Sequence, residues 1–363
     1  MGPRAQPRQV CQVTCVLPGL TWPGHGITAA LGELKLPGLA ALLGRGQRLQ
    51  QAGIPLMSWL AAQFGAQDPS WGALRAAGEA DFPAVPANAS ILCADPVSLA
   101  FSRDALLLRG PDELALQADE VAALIASLNT EFAELGQFHA VDPQRWYLLA
   151  RAQVAARFHP LGDVRGRPVS LFPPEGEAAS EWNRIANAIQ ILLYNHPVNQ
   201  ARSERGQLGA NGLWFWGQAG TQNSALHAPA RRIVSEDPLV RGLAAAAGAQ
   251  ALTPGTAGTP AQGVSGHTWW VDLRLQEAAL AGDFTGWLRA LQSLDTELIQ
   301  PLYTAWQRRR IHALTLLAPS DKCLLSAALT ARTRYSFWRQ PLTQNLLTPY
   351  LQAAPLNSPE TTR

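Results

Sequence analysis

The sequence predicts an α/β fold, in which a core sheet carries helices on both faces and an α+β segment is inserted into the chain. Short apolar runs bounded by glycine or proline, such as Val10 to Leu17 and Gly212 to Gly217, are typical of buried strands. Segments with apolar residues three and four apart, such as Ala178 to Tyr194, are typical of amphipathic helices. At 363 residues the chain is long enough for one large domain with an insertion, or for two domains.

Composition and charge argue against several classes of function. The 29 basic and 27 acidic residues leave a net charge of +2, which gives no overall field for nucleic acid or a membrane surface. No apolar run reaches the roughly 18 to 20 residues of a membrane helix, and Met1 to Gln9 lacks the apolar centre of a signal peptide. We therefore expect a cytoplasmic protein with no nucleic-acid and no membrane partner.

Cys11 and Cys15 share one face of the first strand and are interpreted as small buried hydrophobes.

The N-terminal part begins the core. The first strand, Val10 to Leu17, ends at a proline and a glycine, and ligands usually lie at such carboxyl ends in open α/β sheets. Leu36 to Gly46 is predicted as a helix, because proline stands at its start and glycine at its end. Ile54 to Gly65 is an apolar segment, and the proline, glycine and alanine content of Asp68 to Asn88 predicts a linker or surface excursion.

The middle of the chain changes to a pattern of two strands, a helix and a strand. The strands are Ile91 to Ala94, Ala105 to Leu108 and Trp146 to Leu149, and the helix runs from about Ala118 to Leu135. This segment is the predicted α+β insertion.

The second half is expected to complete the core. Pro197 stops the helix that ends at Tyr194, because proline disfavours helical geometry in the residue before it. A polar turn then leads into the strand Gly212 to Gly217. The later elements are a flexible loop at Leu252 to Ser265, a strand at Thr268 to Leu273, a long helix from the N-cap Asp283 to about Trp306, a strand at Ile311 to Leu317, an edge strand at Thr333 to Pro341, and a frayed end beyond Asn345.

One stretch carries a resemblance to a known family. Its elements, in order, are the HPVN run from His196 to Asn199, Arg202, Gly206, Asn211, the WFWGQAG loop from Trp214 to Gly220, and DPLVRGLAAAAG from Asp237 to Gly248. This run resembles archaeal-type cofactor-independent phosphoglycerate mutases of the alkaline phosphatase superfamily, and it is even more similar to their bacterial relatives, the RpfE-type regulatory proteins. The helix sequence LPGLAALLGRG is similar to the superfamily's TPNLDRLAREG.

The resemblance implies an alkaline-phosphatase-like core with an inserted cap domain. Asp163, Gly166 and Pro168 follow the cap's order, and the likeness extends from about Val10 to Pro341. The implied division is 1–90 for the first part of the core, 91–177 for the cap, 178–345 for the remainder of the core, and 346–363 for a tail.

The chemistry that the superfamily uses is not visible in the sequence. The family places a metal-binding aspartate after the first strand, but this chain has no carboxylate before Glu33. The family's nucleophilic serine precedes an aspartate, whereas Ser58 precedes Trp59 and is interpreted as a plain helix serine. The chain has no Asp-His dipeptide, and His25, in the loop after the first strand, has no partner nearby in sequence. We therefore predict no catalytic residue, no metal ligand and no cofactor.

The polar residues around the helix stop are the candidate binding site. His196, Asn199, Arg202, Asn211 and Arg241 could form a pocket for a small phosphorylated or carboxylated metabolite, because arginine forks match oxyanions. The alternative is that these residues cap backbone groups, and that the two arginines pair with nearby carboxylates. The mutases carry an arginine where this chain has Trp216.

Three functions remain open at this point. The leading hypothesis is a non-catalytic, regulatory homologue of cofactor-independent phosphoglycerate mutase that binds a small anionic metabolite. The first alternative is an active mutase or phosphohydrolase with non-standard site residues. The second is a scaffold that uses some of its 12 tryptophans at a protein interface, with the partner unknown.

Overall fold

The structure is a computed structural model that describes residues 11–24, 27–85, 90–102, 105–218, 225–260, 266–336 and 338–352. His25 and the tail beyond residue 352 lie outside the described residues. The chain divides into two compact units. The core unit comprises Met1–Phe64, Leu226–Ala279 and Asp283–Arg363, and the inserted unit comprises Gly65–Ala225 and Leu280–Gly282.

The described strands and helices follow one another in a mixed order. The strands are β1 Gln12–Val16, β2 Gln47–Ala52, β3 Ser90–Ser102, β4 Ala105–Arg109, β5 Gly136–Ala140, β6 Trp146–Ala150, β7 Gly212–Trp216, β8 Arg232–Val234, β9 Gln250–Leu252, β10 His267–Val271, β11 Ala313–Pro319 and β12 Cys323–Leu329. The helices are α1 Thr28–Glu33, α2 Pro37–Arg45, α3 Leu56–Phe64, α4 Trp71–Ala77, α5 Pro111–Leu114, α6 Ala118–Glu131, α7 Leu161–Val164, α8 Ala179–Tyr194, α9 Pro197–Glu204, α10 Pro238–Ala246, α11 Pro254–Ala257, α12 Arg274–Ala281, α13 Phe284–Leu294, α14 Gln300–Gln307 and α15 Gln344–Leu351. A π-helical segment, Asp295–Ile299, joins α13 to α14. Within the described part of the chain, every helix is too short or too polar to span a bilayer.

The core unit is built on a seven-stranded sheet with the order β2-β12-β11-β1-β10-β8-β9. The first strand is central and pairs in parallel with β10 and β11, while β12 and β2 add antiparallel strands at one edge. The strands predicted at the positions of β1, β10 and β11 are confirmed, because each apolar run is buried in the sheet interior.

Helices cover both faces of this sheet, as predicted. Neighbouring residues of a strand point to opposite faces, so Trp269 and Trp270 of β10 lie on different sides. Trp270 joins a buried cluster that includes Trp287 of α13 and Trp306 of α14. On the other face, the ring of Trp269 stacks on Trp59 of α3, with 5.8 Å between the ring centroids. The mixed α/β core with helices on both faces is therefore confirmed.

The inserted unit has its own antiparallel sheet, in which β3 is the organising strand. The order is β4-β3-β6-β5, and β7 pairs with β3 as well. The strand at Gly212–Trp216 is confirmed as an element, but it belongs to the inserted unit rather than to the core. The division by contacts thus differs from the expected cap of 91–177, since residues 65–90 and 178–225 also cluster with the insertion.

The helix α8 lies within one residue of its predicted limits and has the predicted buried stripe. Trp182, Ile189 and Leu193 of α8 lie in one apolar cluster with Phe215 of β7. The rings of Trp182 and Phe215 meet at 5.1 Å in an edge arrangement. The helix ends at Tyr194, and two residues, Asn195 and His196, separate it from Pro197, which begins α9.

Several local predictions were wrong. The segment expected as a linker contains α4, and the segment expected as a polar turn after Pro197 contains α9. The expected edge strand near Thr333 is a short 3-10 helix, Arg332–Tyr335, and the edge strands of the core sheet are β2 and β9. The end expected to be frayed contains α15, in which Leu347 and Leu351 are buried.

Within the core unit, the two residues that flank the insertion lie next to each other. The backbone N–H of His227 donates to the backbone oxygen of Phe64 at 2.9 Å. The chain therefore leaves the core unit and returns to it at nearly the same point.

Candidate functional site

The carboxyl end of β1, where the superfamily binds metal, is filled by apolar side chains. Leu17 and Leu20 are fully buried, and the ring of Trp22 lies 5.1 Å from Phe284 and 5.5 Å from Trp287 between centroids. The indole Nε1 of Trp287 donates to the backbone oxygen of Gly19 at 2.8 Å. The loop after the first strand is thus part of the core rather than the wall of a polar cleft.

Gly19 shows how closely the helix α12 approaches this loop. Its φ of +75° is in the left-handed region, and a Cβ built there would lie 2.5 Å from the Cα of Gln276 in α12. The backbone of α12 therefore occupies the space beside the strand end, and any larger residue at position 19 would displace it.

The carboxylates at the other strand ends have structural partners. Asp272, which follows β10, pairs with Arg274 at 2.9 Å, and its backbone N–H donates to Val16 at 3.1 Å. Asp237, which follows β8, accepts from the N–H of Val240 at 2.9 Å and caps α10. After β11, the Oγ of Ser320 donates to the backbone oxygen of Cys323 at 2.8 Å and closes the turn into β12.

These groups do not converge as metal ligands. In the part of the chain that the structure describes, no three His, Cys, Asp or Glu side chains are grouped so that they could hold a metal ion. Ser58 is exposed in the first turn of α3, and its neighbour Trp59 is buried. Burial raises the pKa of the Cys15 thiol to about 12, with a smaller contribution from Asp272, so this thiol stays protonated at neutral pH.

The predicted binding residues lie in two different units. His196, Asn199 and Arg202 lie in or at the start of α9, and Asn211 directly precedes β7, all in the inserted unit. Arg241 lies in α10 of the core unit.

His196 is the N-cap of α9. Its Nδ1 accepts from the backbone N–H of Val198 at 3.2 Å, and its Nε2 lies 3.0 Å from the Oγ of Ser127. Burial lowers the pKa of the imidazole, so the ring is neutral at pH 7 and acts as a hydrogen-bond acceptor rather than as a cation.

The two asparagines bind backbone groups. Asn199 is buried, and its Nδ2 donates to the oxygens of Leu193 at 2.7 Å and Ala210 at 2.9 Å, while its Oδ1 accepts from the N–H of Ala210. Asn211 exchanges two hydrogen bonds with the backbone of Leu99 in β3, of 2.7 and 2.9 Å. These side chains fix the turn between α9 and β7 on the neighbouring strand.

The arginines are also engaged. Arg202 is 1% exposed, and its guanidinium donates to Glu120 of α6 and to the backbone oxygens of Leu114 and Leu208. Arg241 donates to the backbone oxygens of Ser235 and Glu236. The contacts of all five residues favour the structural alternative, and their role in ligand binding stays a prediction.

Sequence reasoning missed a buried charged cluster in the inserted unit. Arg75 of α4 donates to Asp95 of β3 and to the backbone oxygen of Trp146, and Trp216 donates to the same carboxylate at 2.7 Å. No sequence signal distinguishes Arg75 from an exposed arginine, because it stands in a segment rich in glycine and alanine.

Comparison with known proteins gives the relatives of the chain. No protein-family model matches it. A 2,3-bisphosphoglycerate-independent phosphoglycerate mutase of Methanothrix thermoacetophila is 28% identical over 178 residues, which are 44% of this chain and 45% of that protein. A probable enzyme of the same name from Geobacter sulfurreducens is 29% identical over 140 residues, which are 38% of this chain and 31% of that protein.

The chain is a distant homologue of cofactor-independent phosphoglycerate mutases. The matches span less than half of the length of these two relatives. The fold agrees with the solved structure of the PH0037 protein from Pyrococcus horikoshii, with a TM-score of 0.53 at 14% identity over 94% of this chain and 92% of that one. The mixed α/β architecture with a central sheet and helices is therefore shared with that protein, as the predicted fold class requires.

Proposed function

We propose that this protein is a non-catalytic, regulatory homologue of cofactor-independent phosphoglycerate mutase, of the RpfE type, and that it binds a small phosphorylated or carboxylated metabolite. The observation that carries the proposal is the apolar filling of the loop after β1. Leu17, Leu20 and Trp22 occupy the strand end at which a phosphotransfer enzyme of this fold needs a carboxylate.

The chemistry of two-metal phosphoryl transfer supports this reading. Such a reaction needs carboxylates and imidazoles within about 4 Å of each of two cations, beside a hydroxyl nucleophile. Among the described residues, Asp272 and Asp237 at the strand ends are held by Arg274 and by the start of α10. Ser58 faces solvent on α3 and is followed by a buried tryptophan.

The ligand class comes from the relatives. Their names describe enzymes that act on phosphoglycerate, a molecule with a phosphate and a carboxylate. A homologue that has lost the reaction can keep the ability to recognise such an anion, and binding would then serve as a signal.

A thermal-shift experiment with a turnover assay tests the proposal. The melting temperature is measured with 3-phosphoglycerate, with manganese, and with both, and with glycerol as an uncharged control. Binding to the native state alone stabilises it by about 2.7 kcal/mol at a ligand concentration of one hundred times Kd. We expect a shift with 3-phosphoglycerate alone and no formation of 2-phosphoglycerate.

Two outcomes would overturn the proposal. A shift that requires manganese, together with turnover, would establish the enzyme. The absence of any shift would contradict metabolite binding and favour the scaffold hypothesis.

A further inference from the structure

The edge strand β2 has an unpaired side. All six of its residues, Gln47–Ala52, are exposed, and in the described part of the chain it pairs with β12 alone. In an antiparallel sheet, the backbone groups of alternate residues of an edge strand point away from the neighbouring strand. The outer side of β2 therefore presents N–H and C=O groups that can pair with another strand.

This edge lacks the features that usually protect an exposed strand. Natural proteins use proline, lysine, β-bulges or short strands at such edges. The register of β2 with β12 runs without a bulge through six consecutive pairs, from Cys323 opposite Ala52 to Ala328 opposite Gln47. The sequence QRLQQA contains one charged residue, Arg48, and its guanidinium lies over the ring of Tyr350 at 4.9 Å.

An exposed leucine marks the middle of the strand. Leu49 is the large apolar side chain of this strand, it is 55% exposed, and it stands between polar neighbours. An added strand would cover this side chain and satisfy the outer backbone groups at the same time.

We propose that β2 pairs with β2 of a second copy of this chain, antiparallel about a two-fold axis at Leu49. In such a contact Leu49 lies opposite the partner's Leu49, Arg48 opposite the partner's Gln50, and Gln47 opposite the partner's Gln51. The two seven-stranded sheets then form one continuous sheet through the two β2 strands.

The sequence of the strand favours this register and a second copy. An axis at Arg48 would place two guanidinium groups opposite each other, and like charges in cross-strand pairs are destabilising. An axis at Gln50 would place each leucine opposite a glutamine. The Leu49 register pairs the apolar side chains, opposes the arginine to an amide, and uses the same five residues, Gln47 to Gln51, on both sides.

The oligomeric state of the full chain is the first test. Size-exclusion chromatography with light scattering should give twice the 39.0 kDa mass of one chain at micromolar concentration. Leu49→Lys should weaken the dimer at least tenfold, because two lysines with the same charge would then stand directly opposite each other, with Cβ atoms about 5 Å apart. Leu171→Lys is the matched control: this leucine of the inserted unit is 61% exposed, and its substitution should leave the dimer intact.

Cysteine cross-linking tests the register. In a Cys11→Ser background, mild oxidation of Leu49→Cys should link two chains, because opposite Cβ atoms are about 4.5 to 5.5 Å apart. Gln47→Cys should not link them, whereas the double variant Gln47→Cys/Gln51→Cys should.

Three results would overturn the proposal. The first is a wild-type chain that stays monomeric at every concentration, an outcome that would leave the edge to a peptide of another protein. The second is a dimer insensitive to Leu49→Lys, and the third is cross-linking at position 47 without cross-linking at position 49.

Discussion

The guanidinium of Arg75 and the carboxylate of Asp95 form two parallel hydrogen bonds, each 2.8 Å long, inside the inserted unit. Their side chains are 7% and 2% exposed, and the guanidinium lies over the ring of Tyr147 at 4.4 Å. Burial alone would lower the pKa of Arg75, but the neighbouring carboxylate holds this pKa well above its ordinary value. The pair fixes α4 on β3, and each of the two buried charges is compensated by the other.

We expect Arg75→Met to lower the free energy of unfolding by about 3 to 5 kcal/mol, because Asp95 would remain as an uncompensated buried charge. Urea denaturation measures the change. Arg157→Met is the control: Arg157 pairs with Asp68 at the surface and is 62% exposed, so we expect less than about 1 kcal/mol. A loss of unfolding free energy in Arg75→Met no larger than that in Arg157→Met would show that the buried pair is not needed for stability.

Arg202 and Arg205 offer a matched pair of tests, because both contact the carboxylate of Glu120. The side chain of Arg202 is 1% exposed and that of Arg205 is 55% exposed. We expect Arg202→Met to cost about 3 to 5 kcal/mol of unfolding free energy and Arg205→Met less than about 1 kcal/mol. A stable Arg202→Met protein that has lost a thermal shift with 3-phosphoglycerate would instead assign Arg202 to the ligand.

His196 predicts a dependence of stability on pH. Because burial lowers its pKa in the folded state, the unfolded chain binds the proton more tightly between the two pKa values. The stabilisation is present above about pH 6.5 and is lost as the pH falls towards the lower, folded-state pKa. His196→Asn keeps a capping oxygen and does not titrate, so its stability should fall less between pH 7 and pH 5.

Urea midpoints at several pH values measure this difference. Burial also lowers the pKa of His139 and His267, but both residues are present in the two proteins, and their contributions cancel. Parallel stability curves for the wild type and His196→Asn would contradict the prediction.

Asp295 is fully buried and ties the π-helical segment to the start of α2. Its carboxylate accepts from the N–H groups of Leu39 at 2.6 Å and Gly38 at 3.1 Å, and from the amide of Gln300 at 2.8 Å. We expect Asp295→Ala to cost about 2 to 4 kcal/mol of unfolding free energy, because these donors would be left unsatisfied.

Asp283→Ala provides the comparison in the same unit. Asp283 caps α13 through a 2.8 Å hydrogen bond from Gly286 at an exposed position, so its loss should cost about 1 kcal/mol in the same denaturation assay. A cost for Asp295→Ala no larger than this would mean that water replaces the carboxylate at the start of α2.

Periodicity and caps predicted the elements with strong local signals. The stripe of α8, its end before Pro197 and the N-cap Asp283 depend on neighbours in sequence, and the structure has all three. The strand β2 has no such signal, because QRLQQA shows no alternation of apolar residues; its position depends on β12, some 270 residues later.

The unit to which a strand belongs was harder to predict than the strand itself. The run from Gly212 to Trp216 is apolar enough for any buried sheet, and only its register with β3, from Cys93 opposite Trp216 to Val97 opposite Gly212, places it in the inserted unit. Likewise, the polar residues His196, Arg202 and Asn211 were visible in sequence. Their respective partners, Ser127, Glu120 and Leu99, come from distant segments.

The hydrogen bond between Phe64 and His227 has a consequence for how this chain can vary. The core unit keeps the two ends of the excursion within one hydrogen bond, at 2.9 Å, so a tight turn could bridge them if residues 65–225 were deleted. An insertion of a different length between Phe64 and His227 would therefore place little strain on the core backbone at this point.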